Sequence, residues 1–147
     1  VGDNVRDGAV DVLARAETIS LLARRRSYPI TAYMAYAFGK LKIRNQLIES
    51  TAGIDPEILS FAGPEDAAIA ISFSPYASAT IDHAAALAAR NVPVIAITDS
   101  AFSPLAQSAK LWFEAAEGDF SGFRSLSGTM ALAMALTVSV AEKRRNL

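Results

Sequence analysis

In the middle of the chain, Ala67-Ala68-Ile69-Ala70-Ile71-Ser72-Phe73 runs without the polar alternation of a half-exposed strand. A strand of this kind is covered on both faces, as in a parallel sheet flanked by helices. It is the best central strand of the chain, and a sheet built around it needs apolar helical faces on either side.

The flanking segments supply them in alternation. Asn4 is placed to cap a first helix whose Val5, Ala9, Val12, Leu13 and Ala16 share one face, with Glu17 at its end. The short apolar run 19–23, cut off by Arg24-Arg25-Arg26-Ser27, predicts a buried strand entering a polar loop. Pro29 suits the first turn of a helix, after which Ile30, Tyr33, Met34, Ala37, Phe38 and Leu41 repeat at helical spacing. Residues 45–49 form a weaker strand candidate, and the turn-forming segment 51–64 has room for one helical turn near 56–60. Beyond the central strand come a loop over 74–80, an alanine-rich helix over 81–90 with Asp82 and His83 in its first turn, and a strand over 92–97. A short helix opening at Ser103-Pro104, a strand over 111–115 and a last helix beginning at Ser121 or Ser125 complete the order. That helix is apolar nearly all round from Met130 to Val140, so sheet and a partner subunit together are needed to bury it. Strands alternating with helices imply right-handed βαβ units. The predicted fold is α/β, a three-layer α/β/α sandwich with a five-stranded parallel sheet, formed by residues 1–147 as one domain.

Composition narrows the function. Apolar residues are 52% of the chain and charged ones 20%, enough to bury a core and too apolar for disorder. A net charge of −1 gives no global electrostatic reason to bind DNA, so any DNA contact must come from a domain outside this chain. The lack of cysteine removes disulfides and thiolate catalysis and fits a reducing cytoplasm; a single histidine disfavours a zinc site. Neither Asp82 nor Asp99 has a metal-ligand partner at suitable spacing, and no cofactor is expected. The longest apolar stretch, 129–140, falls short of the roughly 20 residues that span a bilayer, and no signal peptide opens the chain. The start at Val1, directly in a helical pattern, reads as a fragment of a longer protein.

In an open parallel sheet, ligands bind beyond the carboxyl ends of the strands, near the reversal of strand order. Serines and threonines gather there: Ser27 after the first strand, Ser72, Ser74, Ser78 and Thr80 after the third, Thr98 and Ser100 after the fourth. Hydroxyls and the free N–H groups of helix starts together make an anion site, and a phosphate fits it without a metal. Taken singly, each hydroxyl reads equally as a helix cap. Arg25 and Arg26 either supply charge to the phosphate or form a solvated loop. Tyr28, Tyr76 and Trp112 either line a sugar face or pack the rim and core.

The window 70–80, followed by Ala96-Ile97-Thr98-Asp99-Ser100 and Ser103-Pro104-Leu105-Ala106, resembles the sugar isomerase (SIS) domain, in particular the effector domain of RpiR-type regulators, where it follows an N-terminal helix-turn-helix. The resemblance implies a flavodoxin-like strand order and a sugar phosphate effector whose phosphate is held by a Ser-x-Ser-Gly-x-Thr loop and a serine after the first strand. By position these are Ser72, Ser74 and Ser27; the glycine is replaced by Pro75, which has no N–H, and the threonine by Ala77, with Ser78 or Thr80 as possible replacements. It further implies a regulator with DNA bound through a domain not in this chain; the apolar last helix predicts a homodimer or tetramer, and no membrane partner is expected. The alternative is a sugar-phosphate isomerase, which needs a base beside the sugar carbons. Glu114 and Glu117 are the candidates, since isomerases of this kind place a glutamate there, with His83 as a further acid or base.

Overall fold

A computed structural model of the chain describes residues 3–121 and 123–147. Helix α1 (Asp3–Arg15) leads into β1 (Ile19–Ala23), a 3-10 turn at Arg25–Ser27, α2 (Tyr28–Lys40) and β2 (Asn45–Leu47). A second 3-10 turn and α3 (Asp55–Leu59) precede β3 (Ala67–Ile71), α4 (Ser78–Ala89), β4 (Val94–Thr98), α5 (Pro104–Ser108) and β5 (Leu111–Glu114). A small antiparallel hairpin, β6 (Asp119–Phe120) with β7 (Phe123–Arg124), sets Asp119 opposite Arg124 and leads to the long helix α6 (Ser127–Arg145).

The five main strands form one parallel sheet in the order β2-β1-β3-β4-β5. Register and side-chain alternation divide the core in two. Leu21, Ile69, Ile71, Ile95, Ile97 and Phe113 point into one layer with α1, α2 and α6, where Leu13, Phe38, Met34 and Leu136 meet them. Leu22, Ala68, Ala70, Val94 and Ala96 point the other way, toward Leu59 of α3, Ala84 and Leu87 of α4 and Leu105 of α5. β1, β3 and β4 are buried at every residue, as the absence of alternation requires. The three-layer sandwich and its flavodoxin-like order are therefore present, and among the described residues no helix is long and apolar enough to cross a membrane.

Besides β2, β4 and β5, whose ends lie one or two residues from the expected bounds, three boundaries differ from the pattern. Asn4 lies inside α1 rather than capping it, because the helix already includes Asp3. α4 starts at Ser78, not at Ile81, so Asp82 and His83 belong to its second turn. The first turn of a helix carries unpaired N–H groups and tolerates polar residues, so an apolar pattern places the start too late. α6 begins at Ser127 because Asp119–Phe120 and Phe123–Arg124 are spent on the hairpin, whose two-residue strands are too short to leave a periodic signal.

Candidate ligand site at the switch point of the sheet

The crossover from β1 leaves toward β2 on one side of the sheet, and the chain then returns to β3 on the other side of β1. Strand order therefore reverses between β1 and β3, where the two following loops diverge and leave a crevice. A cleft of about 310 Å³ lies there. Arg24, Arg25, Arg26 and Ser27 line it from the β1 side; Ser72, Phe73, Pro75 and Ala77 line it from the β3 side.

Its floor is polar and held in place. Ser72 is buried, its N–H donates to the Ile97 carbonyl at 3.2 Å, and its Oγ accepts the Ala77 N–H at 3.2 Å. A serine hydroxyl has one proton and two lone pairs, so the O–H of Ser72 remains as a donor. Ser27 is equally buried and stands at the N-cap of α2 without bonding that helix through its side chain. α4 has no side-chain cap either, leaving the N–H groups of its first turn unpaired by any cap. The start of α4 thus opens at the switch point, an arrangement that favours an anion, whereas α2 continues from the 3-10 turn, with the Ser27 and Tyr28 N–H groups given to the Arg24 and Arg25 carbonyls and none on Pro29. Thr80, in the first turn of α4, is buried, and its hydroxyl has no hydrogen-bond partner among the described residues.

The rim is braced by carboxylates. Arg24 gives Nη2 to Asp55 Oδ2 at 2.8 Å, and the second oxygen of this buried aspartate accepts the Ser50 N–H at 3.0 Å. Arg26 donates to the Ser74 carbonyl at 3.3 Å, joining the two loops across the cleft. Arg25 is exposed, with φ 55 in the left-handed region. Asp99 accepts the Ser74 N–H at 2.9 Å and the Tyr76 hydroxyl at 2.6 Å. Burial opposes its ionisation, but those bonds, its own N–H and Thr98 outweigh it and hold the carboxyl below the usual range. Burial, with the bond to Asp99, pushes the Tyr76 phenol up.

Of the residues marked in the sequence, Ser27, Ser72, Arg25 and Arg26 come together around the cleft. Ser74 is exposed and outside its lining, because Asp99 pins its N–H and turns the loop so that only backbone groups are used. Ser78 is exposed on the first turn of α4, and Thr80 is buried beneath it; neither lines the cleft. The acid–base candidates lie elsewhere. Glu114 ends β5 and borders a separate depression with Trp112, Val5 and Ala116. Glu117 caps α6: it accepts the N–H of Gly128 at 3.3 Å, the N–H of Thr129, and the Thr129 hydroxyl at 2.6 Å. Burial opposes the Glu117 charge, yet these donors and Arg124 prevail and keep its carboxyl below the ordinary value. His83 Nε2 sits 3.9 Å from Asp55 Oδ2. Tyr28 donates to Glu49 at 2.9 Å; this bond, with burial, raises its pKa, and it serves as a rim contact. The pairing of Arg24 with Asp55 leaves no signal in the sequence, since 31 positions separate them and nothing local joins them. Among the described residues no group of acids or histidines is arranged to hold a metal.

A model of the SIS domain family matches residues 12–140. The chain belongs to the SIS domain family. Among solved structures, this SIS domain is similar to the sugar isomerase domain of an RpiR transcription factor from Sphaerobacter thermophilus, with 25% identity, a TM-score of 0.88, and coverage of 99% of this chain and 81% of that one. It is also similar in fold to the Vibrio vulnificus NanR protein complexed with ManNAc-6P (22% identity, TM-score 0.86), of which it spans 56% while 99% of this chain is covered. A putative sugar-phosphate isomerase from Listeria monocytogenes shares the fold at 14% identity and a TM-score of 0.77, with 99% of this chain and 77% of that one covered. No curated protein matches the sequence.

Proposed function

We propose that this SIS domain is the phosphosugar-sensing part of an RpiR-type transcriptional regulator of carbohydrate metabolism, binding a sugar phosphate at the switch-point cleft through Ser27, Ser72, Arg25 and Arg26. The observation that carries this reading is the make-up of the cleft: three arginines and two serines line it, and no carboxylate or imidazole is among the described lining residues. Such a site attracts and orients an anion, and contains no group suited to move a proton on a sugar carbon near neutral pH. Glu117, one candidate base of the isomerase alternative, spends both oxygens on the start of α6. The likeness to the sugar isomerase domain of an RpiR transcription factor supports the same reading.

The experiment is a thermal-shift screen of hexose 6-phosphates against the same hexoses without phosphate, coupled to proton exchange in heavy water followed by NMR. A ligand that binds only the native state raises apparent stability by RT ln(1 + [L]/Kd). The expected result is a shift with a phosphorylated sugar, none with its parent, and no exchange at the carbon next to the carbonyl. Catalysed exchange in the shifted sugar establishes the isomerase instead.

A further inference from the structure

Arg124 ends the β6–β7 hairpin, which no sequence pattern announces, and it is not itself among the described lining residues of the cleft but stacks on one of them. Its guanidinium carbon lies 4.6 Å from the centroid of the Phe73 ring, and Phe73 is a lining residue directly after Ser72. Stacking on an aromatic face fixes the plane of a guanidinium while its in-plane N–H groups stay available to an anion. One of those groups is already out of water without a partner: Arg124 Nε is buried and has no hydrogen-bond acceptor among the described residues. The Glu117 carboxylate interacts with Arg124 through its charge, yet gives Nε no hydrogen bond, and its oxygens accept the donors of Gly128 and Thr129. A buried donor left unpaired is a standing cost that an incoming acceptor removes.

We infer that Arg124 is a further ligand-binding residue of the cleft, taking an anionic oxygen of the sugar phosphate whose phosphoryl end the Ser72 loop holds. The inference rests on the sugar-phosphate reading above. The anionic oxygen belongs either to the phosphate itself or to a carboxylate elsewhere on a phosphorylated sugar acid; the chemistry toward a guanidinium is shared, and the choice of probe separates the two.

The test is titration calorimetry of the wild-type chain, R124Q, R124K, R124M and S72A with inorganic phosphate, glucose 6-phosphate, 6-phosphogluconate and glucose. R124Q and R124M are expected to weaken an anionic probe about tenfold or more, with R124K recovering part of the loss and weak glucose binding unchanged. Loss with all three anions places Arg124 on the phosphate; loss with 6-phosphogluconate alone places it on the carboxylate. R124M keeps the stack on Phe73 without charge, so a merely structural role predicts that R124M binds like wild type and that glucose and anions respond alike. If S72A loses the anions while R124Q and R124M bind them as wild type does, Arg124 is only a brace for Phe73 and the sugar-phosphate reading stands. If no anion binds the wild-type chain, both fall. Unliganded melting of each variant identifies any that fail to fold, and R124K against R124M then decides.

Discussion

At Ser72 the hydroxyl is buried, receives the Ala77 N–H and keeps a proton to donate, whereas exposed Ser74 contributes backbone groups, its N–H to Asp99 and its carbonyl to Arg26. The two serines of the Ser-x-Ser pattern are therefore unequal. Ser72→Ala removes a donor to a charged group and is expected to weaken phosphosugar binding by about 1.5–3 kcal/mol, roughly 10- to 150-fold. Ser74→Ala is expected to change affinity several-fold less. Losing the Ser72 bond to Ala77 costs about 1 kcal/mol of stability, which leaves the fold intact. Calorimetry on both variants checks this, and equal losses in the two contradict it. In the core the scale is larger: Phe38 is fully buried, and Phe38→Ala is expected to cost about 3–5 kcal/mol in a urea melt.

Among the elements, α6 depends on a residue from outside it. Its N-terminus has no side-chain cap from Leu126, and Glu117, on the connection after β5, meets that need from ten positions before Ser127. A carboxylate at a helix start is favoured by the orphan N–H groups and the dipole together. Glu117→Gln is expected to lower stability at neutral pH by about 0.5–2 kcal/mol. The sign of the pH dependence follows from the depressed folded-state value of Glu117, a direction shared by Asp99. Their contribution is complete above the unfolded carboxylate value of about 4 and is lost as pH falls through the lower folded value. Melting wild type and Glu117→Gln at pH 7 and near pH 2 therefore gives a deficit that shrinks in acid; a deficit independent of pH contradicts the charged cap.

At the scale of the molecule, α6 buries Thr129, Ala133, Leu136, Thr137 and Val140 against the sheet layer and leaves Ala131, Ala135 and Val138 exposed on its outer face. α2, packed on α6, exposes Tyr33 and Tyr36 in the same layer, their ring centroids 5.8 Å apart. Apolar groups on a helical layer are the material of a subunit interface. We propose a homodimer or tetramer, and sedimentation equilibrium at micromolar concentration is expected to give a multiple of 15.6 kDa. A persistent monomer overturns it. With a net charge of −1, the 147-residue chain is expected not to retain operator DNA at physiological salt, which an electrophoretic shift assay checks.

What the sequence determined by itself is the set of signals that act over short distances. β1, β3, β4 and the apolar faces of α1, α2 and α6 are legible because burial on both sides or on one stripe leaves a period within ten or so residues. Ser72, directly after one apolar run, and Ser27, in the loop that follows another, are legible for a related reason: a parallel sheet places ligands after its strands, so a hydroxyl there is a candidate before any coordinates exist. The tertiary structure decided what depends on residues far apart in the chain. It pairs Arg24 with Asp55, gives the Ser74 N–H to Asp99, spends Glu117 on the start of α6 and lays Arg124 over Phe73. Each of these choices turns on whether an oxygen or a guanidinium 11 to 51 positions away arrives within a few ångströms. A hydrogen bond requires donor and acceptor at contact distance, and sequence spacing carries that information only within a turn or two of helix or a tight loop.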